Sequence, residues 1–190
     1  MSDCASCACG GKIPPVEICL SYLAEENVPN NVIDHCMAVE HLALKIAMRI
    51  TQDQEILDLI SRGALLHDIG RSKSHDINHA VFGAELLRKR GLDERIALIV
   101  ERHICAGIDA REAEENGLPV RDYIPQTLPE KIVAHADNLT TEKDRAPARW
   151  KLADVMARER GKGYDESALK IEKLHAELSE LAGIDLDDIK

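Results

Sequence analysis

The chain has 190 residues, a length that fits one domain able to bury about 70% of the surface that its unfolded chain would expose. Its 34 acidic and 24 basic residues give a formal net charge of −10, which argues against duplex nucleic acid as a partner. Only one Trp, one Phe and three Tyr are present, while helix-favouring Ala, Leu, Glu and Lys are common. The composition therefore predicts an all-α protein.

The N-terminal residues 1–12 contain cysteines but show no helical period, so we expect a flexible tail followed by a folded domain over residues 13–190. Cys4, Cys7 and Cys9 have spacings that zinc or an iron–sulfur cluster can use, and reduced thiols in a tail are the simpler alternative. No leader-like segment precedes the domain, and the aliphatic run 96–100 is too short to span a membrane. We expect a cytoplasmic protein.

The first predicted helix opens at Pro14 and Pro15 and reaches about residue 27. A second helix follows Pro29 and continues to residue 50, with apolar residues at three-and-four spacing and His35 on the same face. A third helix covers residues 53–67 and is predicted to end at Gly70. The adjacent pair His67 and Asp68 is therefore expected at a helix C-terminus.

Further along the chain, Asp76 is predicted to cap a helix that ends at Gly91 and carries His79 in its first turn. Asp93 caps the next helix, which ends near His103, and Gly107 marks the exit from it. Residues 106–127 contain several Gly and Pro residues and are predicted to form an irregular segment over a site.

The C-terminal part begins with a helix over residues 128–139 that carries Asp137 toward the interior. Residues 140–147 are predicted to be a loop, and two helices follow at 149–160 and 165–181, separated by the glycine-containing break 161–163. We find no internal repeat, so the sequence predicts one helical domain of seven to nine helices. Its C-terminal helices occupy residues 149–182.

Metal-ligand side chains recur on or beside the apolar faces of these separate helices. A lone histidine on such a face is usually a core residue, but a whole series is economically explained by convergence on one metal site. Nitrogen and carboxylate oxygen together suit divalent Fe, Mn, Ni, Zn, Co or Mg. The predicted ligands are His35, His67, Asp68, His79, His103 and Asp137.

Other histidines and cysteines are expected to have structural roles. The second adjacent pair, His75 and Asp76, lies in a polar stretch where capping explains the carboxylate better than metal binding. The predicted core or surface residues are Cys36, His41, Cys105, His135 and His175.

The order His35, His67-Asp68 and Asp137 resembles the signature of the HD superfamily of metal-dependent phosphohydrolases. The segment 79–85 together with His103 resembles its dinuclear branch, near the diadenosine tetraphosphate hydrolases and cyclic-dinucleotide phosphodiesterases. The resemblance covers residues 31–141 and implies a helical bundle with the metal site at its centre. It implies one ion held by His35, His67, Asp68 and Asp137, and a second held by Asp68 as a bridge together with His79 and His103.

The resemblance further implies hydrolysis of a phosphate ester or anhydride of a small nucleotide or phosphorylated metabolite, by a metal-bound hydroxide. His67, Asp68 and Arg71 are the candidate catalytic residues. The candidate phosphate-binding cations are Arg71, Lys73, Lys143 and Arg145. A homo-oligomer is compatible with the sequence, and no membrane partner is expected.

Two other functions stay open at this point. Some two-iron members of the same superfamily oxidise their substrates, and the ligand types alone do not exclude that chemistry. A non-catalytic nucleotide-sensing or partner-binding module is the second alternative. The sequence contains no Gly-rich phosphate loop, no H-E-x-x-H motif and no G-x-S-x-G motif, so other motif-based chemistries lack support.

Overall fold

The computed structural model describes residues 11–143 and 146–189, with residues 142, 143, 146 and 148 described by their backbone alone. This part of the chain contains nine α-helices, two short 3₁₀ helices and one β-hairpin. The all-α fold class is confirmed, with the hairpin as a small addition. None of the described helices is long and apolar enough to cross a membrane. The α-helices are α1 Val16–Glu25, α2 Asn30–Ile50, α3 Gln54–Leu66, α4 His79–Lys89, α5 Glu94–Glu101, α6 Ala110–Glu115, α7 Leu128–Asn138, α8 Leu152–Gly161 and α9 Asp165–Ala182.

At the centre of the fold α3 and α7 pack against each other, and both pack against α2 and α5. Helix α2 turns its predicted apolar stripe inward, and Val39, Ala43 and Ile46 on that stripe are fully buried. Ile60 of α3 and Ile132 of α7 are buried in the same core. Each such aliphatic side chain contributes about 1.5–3 kcal/mol through burial, so the core holds the ends of these helices in place.

Gly70 has a different role from the one predicted. Helix α3 ends at Leu66 with His67 as its C-cap, and Gly70 lies inside the 3₁₀ helix Ile69–Ser72 that follows. A Cβ atom at Gly70 would overlap the backbone carbonyl oxygen of His79 and lie 2.7 Å from the backbone nitrogen of Gly83. The missing side chain therefore lets the 3₁₀ helix touch the backbone of α4.

The helix caps were predicted with mixed success. Asp93 caps α5 as predicted, because its carboxylate accepts a hydrogen bond from the backbone N–H of Arg95 at 2.9 Å. Gly91 follows the end of α4 with a φ of +72°, also as predicted. The prediction for Asp76 was wrong: α4 begins at His79, and the Asp76 carboxylate instead accepts from the N–H of Asn78 at 2.8 Å in the turn before the helix.

Three local structures between α5 and α8 differ from the prediction. The segment expected to be irregular contains α6, whose start is stabilised by a capping box between Asp109 and Glu112. The expected loop is a hairpin of β1 Thr140–Lys143 and β2 Ala146–Arg149, with Thr141 opposite Ala148. Because β2 reaches Arg149, α8 begins only at Leu152. A six-residue helix and four-residue strands are too short to show a clear period in the sequence.

Candidate metal centre

The structure brings the six predicted ligands together, each from the end or the inward face of a helical segment. His67 and Asp68 follow the last residue of α3, His79 is the first residue of α4, and His103 lies just beyond α5. The remaining two side chains come from α2 and α7, where His35 Nε2 lies 2.8 Å from Asp137 Oδ1. The predicted convergence of these residues is present in the fold.

Asp68 lies between two groups of side chains. Its Oδ1 is 2.9 Å from His79 Nε2 and 3.8 Å from His103 Nε2, while its Oδ2 is 3.7 Å from His67 Nε2. His67 Nε2 in turn lies 3.6 Å from Oδ1 of Asp137. The two oxygens of Asp68 thus face different ligands, which is the placement that a bridging carboxylate requires.

Three of the histidines are oriented in the same way by backbone carbonyl groups. The Nδ1 atoms of His67 and His103 each lie 2.7 Å from the carbonyl oxygen three residues earlier, and Nδ1 of His79 contacts the carbonyl of Asp76. A carbonyl oxygen only accepts hydrogen bonds, so Nδ1 carries the hydrogen atom. In a neutral ring Nε2 then carries a lone pair. All three lone pairs face the cluster.

This arrangement fits divalent cations. Nε2 of His79 and Nε2 of His103 are 3.1 Å apart, so two lone pairs face each other when both rings are neutral. His67 Nε2 is buried and has no hydrogen-bond partner among the described residues. Buried polar atoms are almost always paired, and a cation bound between these nitrogens satisfies them together.

The electrostatics of the two carboxylates and of His103 favour the forms that bind metals, whereas Cys36 and Asp68 outweigh burial and raise the pKa of His67. Burial by itself would raise the pKa of Asp68, but the neighbouring His67 and His79 outweigh burial and lower it below its ordinary value. For Asp137, the hydrogen bond with His35 and the nearby His67 likewise outweigh burial and lower the pKa. Burial, followed by the neighbouring His67 and His79, lowers the pKa of His103 to about 3. At neutral pH the carboxylates are therefore ionised and His103 is neutral.

A cavity of about 730 Å³ opens onto the cluster, with His35, Asp68, His103 and Asp137 in its wall. Arg71 lines the same cavity. Its Nε donates to Oδ1 of Asp68 at 3.1 Å, and its NH1 group donates to the carbonyl oxygen of His75 at 2.8 Å. The guanidinium is therefore held beside the proposed ligands, in the wall of the cavity.

The structure does not bring the other predicted cations to this position. Lys73 is 59% exposed, forms an ion pair with Glu26 at 3.5 Å, and does not line the cavity. The side chain of Lys143 and the whole of Arg145 lie outside the described residues, as do Cys4, Cys7 and Cys9. Their predicted roles stay predictions.

Some of the residues set aside in the sequence lie apart from the cluster, whereas Cys36, His75 and Cys105 lie beside the cluster or its cavity. His41 is exposed, whereas His135 and His175 are buried and form a separate chain in which His175 Nε2 lies 3.0 Å from Oδ1 of Asp185. His75 is exposed at the edge of the cavity. Cys36 is buried as expected but interacts with His67 of the cluster, and Cys105 is only half-buried and lines the cavity.

Part of the cavity wall was missed in the sequence. It comes from the end of α8, the following turn and the start of α9, and the residues are Arg158, Glu159, Lys162, Tyr164 and Ser167. The available signal was the charged break 161–163 between two helices, but the local pattern does not show which surface such a break faces.

The sequence model of the HD domain matches residues 32–142, more than half of the chain. The chain belongs to the HD domain family. Its HD domain is also similar in fold to the solved HD domain of the Listeria monocytogenes phosphodiesterase PgpH in complex with cyclic-di-AMP. That match has a TM-score of 0.51 at 16% identity and covers 90% of this chain and 97% of the solved chain. At this identity the likeness concerns the fold alone.

Two curated relatives match almost the whole of this HD protein. The tRNA (cytidine(56)-2′-O)-methyltransferase of Picrophilus torridus is 48% identical over 177 residues, which are 93% of this chain and 50% of that protein. The enzyme of the same name from Thermoplasma volcanium is 44% identical with the same coverage. The chain spans about half the length of these relatives, so the activity in their names belongs to longer proteins.

Replacing Arg71 and Lys73 separately tests which cation serves the site. We expect Arg71→Ala to lower kcat/KM for a phosphate substrate by about 10- to 100-fold, because a charge-assisted hydrogen-bond donor beside Asp68 is removed. Lys73→Ala should change kcat/KM by less than about 2-fold, since its charge is paired outside the cavity. Steady-state kinetics of both variants check this, and equal losses would contradict the assignment.

Proposed function

We propose that this HD domain is a metal-dependent phosphohydrolase that cleaves a phosphate ester or anhydride of a small nucleotide. The observation that carries the proposal is the convergence of four imidazole rings and two carboxylates beside one cavity. Bound divalent ions supply a water of lowered pKa and positive charge beside the phosphorus atom. The chain itself supplies the ligands, their orientation and an adjacent guanidinium.

Asp68 has the central role in this proposal. Its two oxygens face His67 on one side and the pair His79 and His103 on the other, so a single carboxylate reaches both groups of ligands. Arg71 donates to the same carboxylate and keeps its guanidinium at the cavity. It is placed to bind a phosphate oxygen and to neutralise charge that develops there.

Two observations support a nucleotide as the substrate, and the net charge of the chain does not exclude it. The cavity volume of about 730 Å³ lies within the usual range for small-molecule sites. The solved PgpH domain with the same fold is described as a phosphodiesterase and contains cyclic-di-AMP. The acidic net charge of the chain does not oppose a phosphate substrate, because bound divalent ions dominate the local field.

The two alternatives from the sequence have less support. A non-catalytic binding module has no need to keep six metal-ligand side chains in one cluster with three lone pairs aimed inward. A di-iron oxygenase would use the same ligands, but it would consume oxygen and release no phosphate-containing product. The product therefore distinguishes the alternatives.

The test is hydrolysis of a nucleotide panel by the full chain purified without added metal. The panel contains ATP, linear diadenylate, cyclic-di-AMP and 2′,3′-cyclic AMP, each assayed with Mn, Fe, Co, Ni, Zn or Mg and analysed by mass spectrometry. We expect cleavage of at least one nucleotide with one of these ions, and unchanged activity in the surface control His41→Ala. A folded, metal-loaded protein that cleaves no member of the panel would contradict the proposal.

A further inference from the structure

One part of the cavity wall lies outside the segment that matches the HD family. The match ends at residue 142, whereas Arg158, Lys162 and Tyr164 line the cavity from the end of α8 and the turn before α9. These side chains take no part in the metal cluster. Their chemistry therefore bears on what else the cavity holds.

The first feature of this wall is an excess of positive charge around a buried carboxylate. Glu159 is only 3% exposed, and its Oε1 accepts a hydrogen bond from Nε of Arg158 at 2.8 Å. The ammonium group of Lys162 lies 3.4 Å from the same oxygen and is 53% exposed. Two cations share one anion, so this part of the wall keeps a net positive charge.

The second feature is an exposed aromatic ring. Tyr164 is 57% exposed although it lines the cavity, and its backbone N–H donates to the carbonyl of Glu159 at 2.9 Å. The chain has few aromatic residues, and an open ring beside cations is the surface on which nucleobases stack.

We propose that Arg158, Lys162 and Tyr164 bind the part of the substrate that is not cleaved. In this site the Tyr164 ring stacks on a nucleobase, while Lys162 and Arg158 bind a second phosphate. The substrate class is then a nucleotide with a phosphate beyond the one attacked, as in a dinucleotide or a nucleoside polyphosphate. The inference rests on the proposed function, because only a cleaved nucleotide has an uncleaved part. The binding test does not require turnover.

The single tryptophan gives a local signal for this binding. The Arg158 guanidinium lies 5.2 Å from the centre of the Trp150 ring, and the sequence contains no other Trp. A phosphate that engages Arg158 therefore changes the surroundings of this fluorophore. Titration calorimetry measures the affinity by a second, independent route.

The experiment titrates the full chain with linear diadenylate, ATP and AMP in the presence of EDTA, where no turnover occurs. We expect diadenylate or ATP to bind about 10-fold or more tightly than AMP, with a change in Trp150 fluorescence. Lys162→Ala should reduce this preference, and Lys162→Arg should retain it. Tyr164→Ala should weaken all three ligands by about 10-fold, while Tyr164→Phe keeps the stacking and the affinity.

Matched controls separate local effects from general ones. Lys131→Ala removes another lysine that pairs with a glutamate, and Phe82→Ala removes another exposed aromatic ring, both outside the cavity wall. Both should bind nucleotides like the parent chain. Equal affinities in the parent, Tyr164→Ala and Lys162→Ala proteins would overturn the inference even if hydrolysis is found. Lost binding in these two variants supports it even if the panel shows no cleavage.

Discussion

Replacing Asp68 by asparagine is expected to remove nearly all hydrolytic activity and to reduce the bound metal. The amide has a similar shape but no charge, and one of its two terminal atoms becomes a hydrogen-bond donor that does not bind a cation. Since the two oxygens of Asp68 face different side chains, we expect the substitution to affect both of the proposed ion positions at once. We expect kcat to fall by at least about 100-fold, measured together with metal content by plasma mass spectrometry.

The contrast with the histidine ligands makes this result specific. His79→Ala or His103→Ala removes ligands that face only one oxygen of Asp68, so each should lose one metal equivalent and retain the other. Thermal unfolding of the variants shows whether they remain folded. Full activity in Asp68→Asn would contradict the proposed function, and loss of a single equivalent would contradict the bridging role.

Replacing Gly70 by alanine is expected to disturb the site without touching any ligand. The new Cβ would overlap the carbonyl of His79, and this oxygen belongs to rigid helix backbone and not to a movable side chain. The 3₁₀ helix and α4 must then separate, which costs about 1–3 kcal/mol of unfolding free energy. Because Asp68 precedes this 3₁₀ helix and His79 begins α4, we also expect weaker metal binding, measured by competition with a chelator.

Gly161 provides the matched control for this substitution. A Cβ atom at Gly161 would meet nothing within 4 Å, and the residue ends α8 with a backbone that other residues adopt. Gly161→Ala should therefore leave the melting temperature unchanged or raise it slightly. An unchanged melting temperature and unchanged metal affinity in Gly70→Ala would show that the close approach of the two segments is unimportant.

The convergence of the proposed ligands could be predicted from the sequence because the signals that place them are local. His35 shares a helix face with apolar residues, and His67-Asp68 ends a strongly apolar helix. Short-range periodicity therefore predicts where each side chain lies on its helix. The shared metal-binding chemistry of the side chains predicts that they meet at one site. The sequence did not show why residue 70 is a glycine. Its close contact with the backbone of α4 depends on how two segments pack, and the pattern of the preceding helix carries no signal for that.

The cavity wall formed by α8 and α9 was also beyond local prediction. Lys162 and Tyr164 belong to a polar break, a pattern that occurs on any protein surface. Only the packing of α9 against α2 and α7 brings this turn to the cavity. The short helix α6 and the hairpin were missed for a different reason. Their elements are too short to show a helical or strand periodicity in the sequence.

The carbonyl groups that orient His67 and His103 lie in the last turns of α3 and α5, where a helix leaves carbonyls without partners of its own. Each of these carbonyl groups therefore gains a hydrogen-bond partner and at the same time fixes the orientation of an imidazole ring. In small zinc-dependent domains the metal must organise its own ligands, and the apoprotein unfolds. Here the backbone orients these two rings, so we expect the domain to keep its helical fold when metal is removed, which circular dichroism of the chelator-treated chain measures.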